Sequence, residues 1–266
     1  MSGAPQLSRL RLLAYAALAF PIAFAGLPRY VHAPDLYASQ YGISLTTIGV
    51  ALLALRFLDA LQDPLIGMLG DRFPAQRPYI MIGAATLLVL SFFALFHPPH
   101  MYVLPWFIAC VFLSTTAYSI LSVHLNTLGA LWGKTPAQQT RISSMREAIS
   151  ILGLIIAVSL PAVLPEATRF VWLTVVLMGS IAIALPIFLR WYQTAHVSVG
   201  NALSPHVSAD VRQLGYATKC FFAVYFLSML ASSIPTVLIV FFVRDLLRAE
   251  ACLGLFCLLC FMAGFS

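Results

Sequence analysis

The segment Arg56-Phe-Leu-Asp59-Ala-Leu-Gln62-Asp63-Pro64 puts a guanidinium, two carboxylates and an amide inside a run of leucines. Each charge at mid-bilayer costs about 2.5 to 3.5 kcal/mol on insertion scales, and nothing about solubility requires it there. Arg56 and Asp59 are three residues apart and Asp59 and Asp63 four, so on a helix all three share a face. If both carboxylates ionise, Arg56 neutralises one and leaves a net charge of −1. A low-dielectric site of that charge draws in a monovalent cation or keeps a proton on one carboxylate. Pro64 cannot donate to the carbonyl of Ala60, which frees a hard oxygen ligand beside the aspartates. The competing reading is a structural ion pair between Arg56 and Asp59, with Asp63 held near the interface.

The elements that must carry these residues are set by composition. Of 266 residues, 61% are hydrophobic and 9% charged, with a mean hydropathy of +0.93. The solvent for most of such a chain is lipid. Apolar stretches run over 10–30, 45–69, 79–96, 101–131, 148–163, 170–191 and 216–243, and an eighth begins near Ala251. Alternating strand patterns are absent, so the expected fold is all-α and polytopic, not a β-barrel. Arg9, Arg11 and the apolar run after them could mimic a secretory signal, but with so many later spans they read as the first membrane helix.

With the N-terminus in the cytoplasm, the inner side collects Arg9, Arg11, Arg72, Arg77, Lys134, Arg141, Arg146, Arg190, Arg212 and Lys219. The outer side keeps Arg29, Arg169, Arg244 and Arg248, and Arg56 stays inside the membrane. The positive-inside rule therefore expects a multi-pass protein of the plasma membrane with a cytoplasmic N-terminus. The polar connection from Gln193 to Arg212 reads as a linker, dividing the chain into a six-helix bundle over 1–192, a cytoplasmic linker over 193–212, and an incomplete second bundle over 213–266. The basic residues sit singly between apolar runs, which excludes a nucleic-acid surface.

Gly67, Gly70, Asp71 and Arg72 follow the charged helix, where small residues permit close helix approach and an Asp-Arg pair can grip neighbouring helix ends. They are expected to form a conformational latch. Tyr118, Ser122, His124 and Asn126 are the polar or aromatic groups of the fourth span, and with Arg146 and Arg56 they are candidate solute contacts. For His124 a satisfied intramembrane hydrogen bond is the alternative. His97 and His100 flank two prolines, and Cys252, Cys257 and Cys260 read as small hydrophobic filler, so no metal is expected beyond a sodium ion at Asp59 and Asp63. No Ser-His-Asp or His-Glu-x-x-His constellation is present, so the chain is not expected to be an enzyme.

At the block from Arg56 to Gly67, at Arg77-Pro78-Tyr79-Ile80 and at Tyr118-Ser-Ile with Ser122, the chain resembles the glycoside-pentoside-hexuronide:cation symporters, the melibiose permease-like family of the major facilitator superfamily. The resemblance implies twelve helices in two six-helix bundles, of which this chain holds the first and part of the second. It implies that Asp59 and Asp63 bind the cation, that Gln62 supplies an amide and Ser119 a hydroxyl, and that Arg146 is functionally sensitive. It also implies that Gly67 to Arg72 is the superfamily's signature between helices two and three. Where the family places its galactoside-binding carboxylates, this chain reads Ala19-Phe20-Pro21 and Ser122. The expected function is symport of a sugar or related small solute with Na⁺ or H⁺ across a lipid bilayer, with no cofactor besides the coupling ion. The alternative is a truncated chain that transports nothing or serves only assembly.

Overall fold

The computed structural model describes residues 8–195, apart from 100, 166 and 167, and beyond them only 215, 216, 220, 224, 227 and 228. The chain divides into two units, residues 1–202 and 203–266. Most of the linker, the seventh and eighth apolar stretches, His100 and the three C-terminal cysteines lie outside the described residues.

The described residues hold eight α-helices: α1 (Arg9–Ala16), α2 (Ala19–Gly26), α3 (Pro28–Ser39), α4 (Leu45–Arg72), α5 (Arg77–Phe96), α6 (Val103–Trp132), α7 (Pro136–Val163) and α8 (Arg169–Thr194). No strand occurs among them. They make six stretches long and apolar enough to cross a membrane, because α1, α2 and α3 run on as a single stretch from Arg9 to Ser39. These observations establish a multi-pass helical membrane protein.

The helix starts follow local chemistry. Ser44 and Thr135 cap α4 and α7, their hydroxyls accepting from Thr47 N at 3.1 Å and Gln138 N at 3.3 Å. Proline occupies the first turn of α3, α5 and α7, where its missing N–H costs nothing. Gly42, at φ +67°, makes the turn between α3 and α4.

Two expected boundaries are corrected. The first span extends through Ser39 instead of ending at Tyr30, since Pro28 starts a new helical segment on the same course and Pro34 lies within it. Arg29 is therefore inside the bundle, 2% exposed, and not in an outer loop. The fifth span begins at Pro136, so Arg141 and Arg146 stand on α7 itself.

The core joins α1 and α2 to α6, α7 and α8, with α5 against α6. Buried donors tie it together: Tyr15 Oη donates to Leu125 O, and Tyr37 Oη to Leu95 O, both at 2.9 Å. Tyr15 also sits among Trp132, Phe188 and Trp191, with ring centroids 5.0 to 6.5 Å away. The helix α4, by contrast, is only 11% buried along its most apolar window, and α7 only 17%. Their exposed leucines, isoleucines and phenylalanines suit a solvent of hydrocarbon.

Candidate functional site

Helix α4 runs unbroken from Leu45 to Arg72 with Pro64 inside it, and it places Arg56, Asp59, Gln62 and Asp63 over two turns. Asp59 Oδ1 accepts from Gln62 Nε2 at 3.0 Å and from Ser119 Oγ of α6 at 3.2 Å. Thr116, one turn earlier on α6, donates to Gln62 Oε1 at 3.0 Å. The Asp59 carboxylate only accepts, so it is Asp59 that turns the amide NH₂ toward itself, and Thr116 divides its one proton between Gln62 Oε1 and Phe112 O, 2.9 Å away. Asp59 is thus held from two helices by neutral donors.

Arg56 is less committed. Its Nη1 stands 3.9 Å from Asp59 Oδ2, longer than a hydrogen bond, and its side chain is 58% exposed. The guanidinium carbon lies 4.1 Å from the centre of the Tyr30 ring. Asp63, one turn beyond Asp59, has a buried Oδ1 with no hydrogen-bond partner among the described residues. A buried carboxylate oxygen without a donor is the unfilled valence of this site.

The sequence reading missed Arg29. Its Nη1 donates to Ser114 O at 2.9 Å, and its guanidinium lies 4.4 Å from the Tyr118 ring centre and 5.0 Å from that of Tyr30. Arg56 and Asp59 are within its electrostatic reach. The charge count changes accordingly: Arg29 and Arg56 against Asp59 and Asp63 sum to zero, not −1. Tyr30, whose hydroxyl is 3.3 Å from Thr115 Oγ1, and Thr116 were also missed. Only the continuation of the first helix past Pro28 would have exposed Arg29 and Tyr30.

The expected solute contacts do not come together in one place. Tyr118 joins Arg29 beside Asp59. Ser122 is half-buried one turn further along α6. Asn126 accepts from Arg146, which also donates to its neighbour Glu147. Arg146 and Glu147 therefore neutralise each other away from the aspartates, and Glu147 is a further intramembrane carboxylate that spacing arguments passed over. His124 is 4% exposed and stands in a cleft with Ile66, Gly67, Gly70, Asp71, Arg77, Val123 and Thr127. It belongs with the latch instead of with Asp59.

Of the expected latch pair, Asp71 grips the next helix end, at the start of α5, and Arg72 does not. Asp71 pairs with Arg77 at 3.1 Å, not with Arg72, which is exposed near the Phe73 ring. Arg77 is 1% exposed, and its Nε donates to Gly70 O at 3.1 Å. The four-residue turn 73–76 brings the guanidinium of Arg77 back under the end of α4, whereas Arg72 is exposed. Gly70 and Gly67 are unequal as well: a Cβ on Gly70 would lie 3.0 Å from His124 Nε2, while one on Gly67 would meet nothing within 4 Å. Among the described residues no group of three His, Cys, Asp or Glu side chains comes together to hold a metal.

Comparisons with known proteins give the chain's relatives. The family profile described as MFS/sugar transport protein matches residues 12–265. The uncharacterized symporter YnaJ of Bacillus subtilis (strain 168) is 29% identical over 133 residues, 47% of this chain and 28% of that protein. The inner membrane symporter YicJ of Escherichia coli (strain K12) is 26% identical over 123 residues, 44% of this chain and 27% of its own length. Each match thus spans little more than a quarter of the relative. Six membrane-length helices and a profile match over nearly the whole length give the family: the chain belongs to the MFS/sugar transport protein family.

Proposed function

We propose that this bundle serves a cation-coupled symporter, in which Asp59 and Asp63 bind a monovalent cation and a sugar or related small solute crosses by alternating access. The observation that carries the reading is the contrast between the two carboxylates. Asp59 is oriented by Gln62 and Ser119, while Asp63 Oδ1 is buried and unpaired one turn away. A sodium ion or a proton between them would satisfy that oxygen, with the carbonyl of Ala60, left without a donor by Pro64, as a further ligand. Binding there biases the equilibrium between inward- and outward-open states by its difference in affinity for the two. The concentration of Arg and Lys on one side supports a cytoplasmic N-terminus in the plasma membrane.

The test is uptake of labelled sugars into vesicles containing the protein, driven by a sodium or a proton gradient. Wild type is expected to accumulate solute only with one of these gradients, and Asp63→Asn is expected to lose at least tenfold of that uptake, about 1.4 kcal/mol of coupling. Gradient-driven uptake that survives Asp63→Asn unchanged would contradict the assignment.

A further inference from the structure

We propose that Arg29 is a resident counter-ion of the cation site: a fixed positive charge that competes with the coupling cation for Asp59 and Asp63 and so sets how readily that cation leaves. This rests on the reading of Asp59 and Asp63 as the cation site.

Arg29 is 2% exposed, and its hydrogen bond goes to a neutral group, the carbonyl of Ser114 at 2.9 Å. Its Nε is buried with no acceptor among the described residues. Among those residues no carboxylate comes within 4 Å of it, since the ion pairs belong to Arg56, Arg77 and Arg146. A buried guanidinium without an adjacent anion is stable only where a more distant one answers its charge. That anion is close by. The guanidinium carbons of Arg29 and Arg56 lie 5.0 and 4.1 Å from the centre of the same Tyr30 ring, so the two cations stand within about 9 Å of each other. Arg29 also lies 4.4 Å from the ring of Tyr118, whose neighbour Ser119 donates to Asp59. Asp59 is within its electrostatic reach.

The two arginines act differently. Arg56 is 58% exposed and its field is screened accordingly, whereas that of Arg29 passes through protein. Arg56 alone would leave two ionised carboxylates at −1, a site that keeps its cation. With Arg29 the empty site sums to zero, so no bound cation is needed to balance it. A unit charge acting across about 10 Å at an effective dielectric of about 20 changes the affinity for a monovalent cation roughly tenfold.

The test is calorimetric sodium binding, with proton uptake read on the same samples, for the purified chain in lipid nanodiscs as wild type, Arg29→Gln, Arg29→Met and Arg29→Lys. The two neutral variants are expected to bind the cation roughly tenfold more tightly than wild type, and to gain more in thermal unfolding midpoint when sodium is added. Arg29→Lys keeps the charge and is expected to stay near wild type. A purely structural arginine would give weaker binding when lost, never tighter. Unchanged or weaker binding in the neutral variants, tightening in Arg29→Lys equal to that in Arg29→Gln, or neutral variants that do not fold in sodium would each overturn the proposal. A wild type that neither binds sodium nor takes up a proton would overturn the cation site itself, and this role of Arg29 with it.

Discussion

Asp59 and Asp63 have the same chemistry and opposite circumstances, and the difference comes from what faces them. Asp59 meets α6, where Ser119 donates to it directly, and it receives the amide of Gln62 from its own helix. Asp63 meets no donor at its buried oxygen. Neutral hydrogen bonds to a charged group contribute about 1.5 to 3 kcal/mol, more than is needed to set the angle of a carboxylate. Ser119→Ala is therefore expected to weaken sodium binding roughly tenfold in a calorimetric titration, by releasing Asp59 without removing its charge. Unchanged affinity would show that Ser119 takes no part. The pairing of Arg56, Asp59 and Asp63 on one face was legible in the sequence because helical spacing alone decides it. Ser119 was legible only through resemblance, since a contact between helices 60 residues apart has no local signal. Arg29 was not legible, because Pro28 before it reads equally well as the end of a span or as the first turn of another segment, and the structure takes the second course.

At the scale of elements, glycines record where helices must touch. A Cβ on Gly153 of α7 would lie 2.5 Å from the carbonyl oxygen of Phe20 on α2, and a backbone atom cannot swing aside. Gly153→Ala is expected to lower the thermal unfolding midpoint in detergent, at a cost of about 1 to 3 kcal/mol. Gly179→Ala on α8 meets nothing within 4 Å and is expected to leave the midpoint unchanged or raise it slightly. Equal effects at both positions would contradict the close α2–α7 approach. The same contrast separates the two glycines of the latch. Gly70→Ala presses on His124 and through it on the Asp71–Arg77 pair, whereas Gly67→Ala has room. Slower transport in Gly70→Ala, with Gly67→Ala near wild type, is the expected outcome of an uptake assay; the reverse order would remove the latch from this end of α4. The presence of a small-residue turn with acidic and basic ends was readable from Gly67 to Arg72. Which arginine closes it was not, because the choice between Arg72 and Arg77 depends on the direction in which the turn at Pro74–Gln76 returns the chain.

Across the molecule, length and hydropathy dictated a helical membrane protein, and the six spans follow from apolar runs that no soluble fold could bury. Their ends were less legible: both corrections, at α3 and at α7, lie where polar residues continue a helix past its apolar stretch. Helices α4 and α7 are the least buried of the six, yet they carry Arg56, Asp59 and Asp63 on one and Arg146 and Glu147 on the other. A polar group on such an exposed helix must face protein or water and not hydrocarbon, which assigns the apolar remainder of each to lipid or to a further apolar surface. Orientation is testable at this scale with single cysteines in a cysteine-free background. A cysteine at Lys134, between α6 and α7, is expected to react with an impermeant reagent only from the cytoplasmic side, and one at Met101, between α5 and α6, only from outside; the reverse pattern would invert the topology.

The most direct test is sodium binding by calorimetry, set beside proton release on the same sample, for the wild type and for Asp63→Asn. One cation bound per chain, or one proton released in its place, with at least a tenfold loss of affinity in a folded Asp63→Asn, is the expected result. Undiminished binding by Asp63→Asn, or no cation or proton exchange in the wild type, would contradict the assignment of Asp59 and Asp63 as the coupling site.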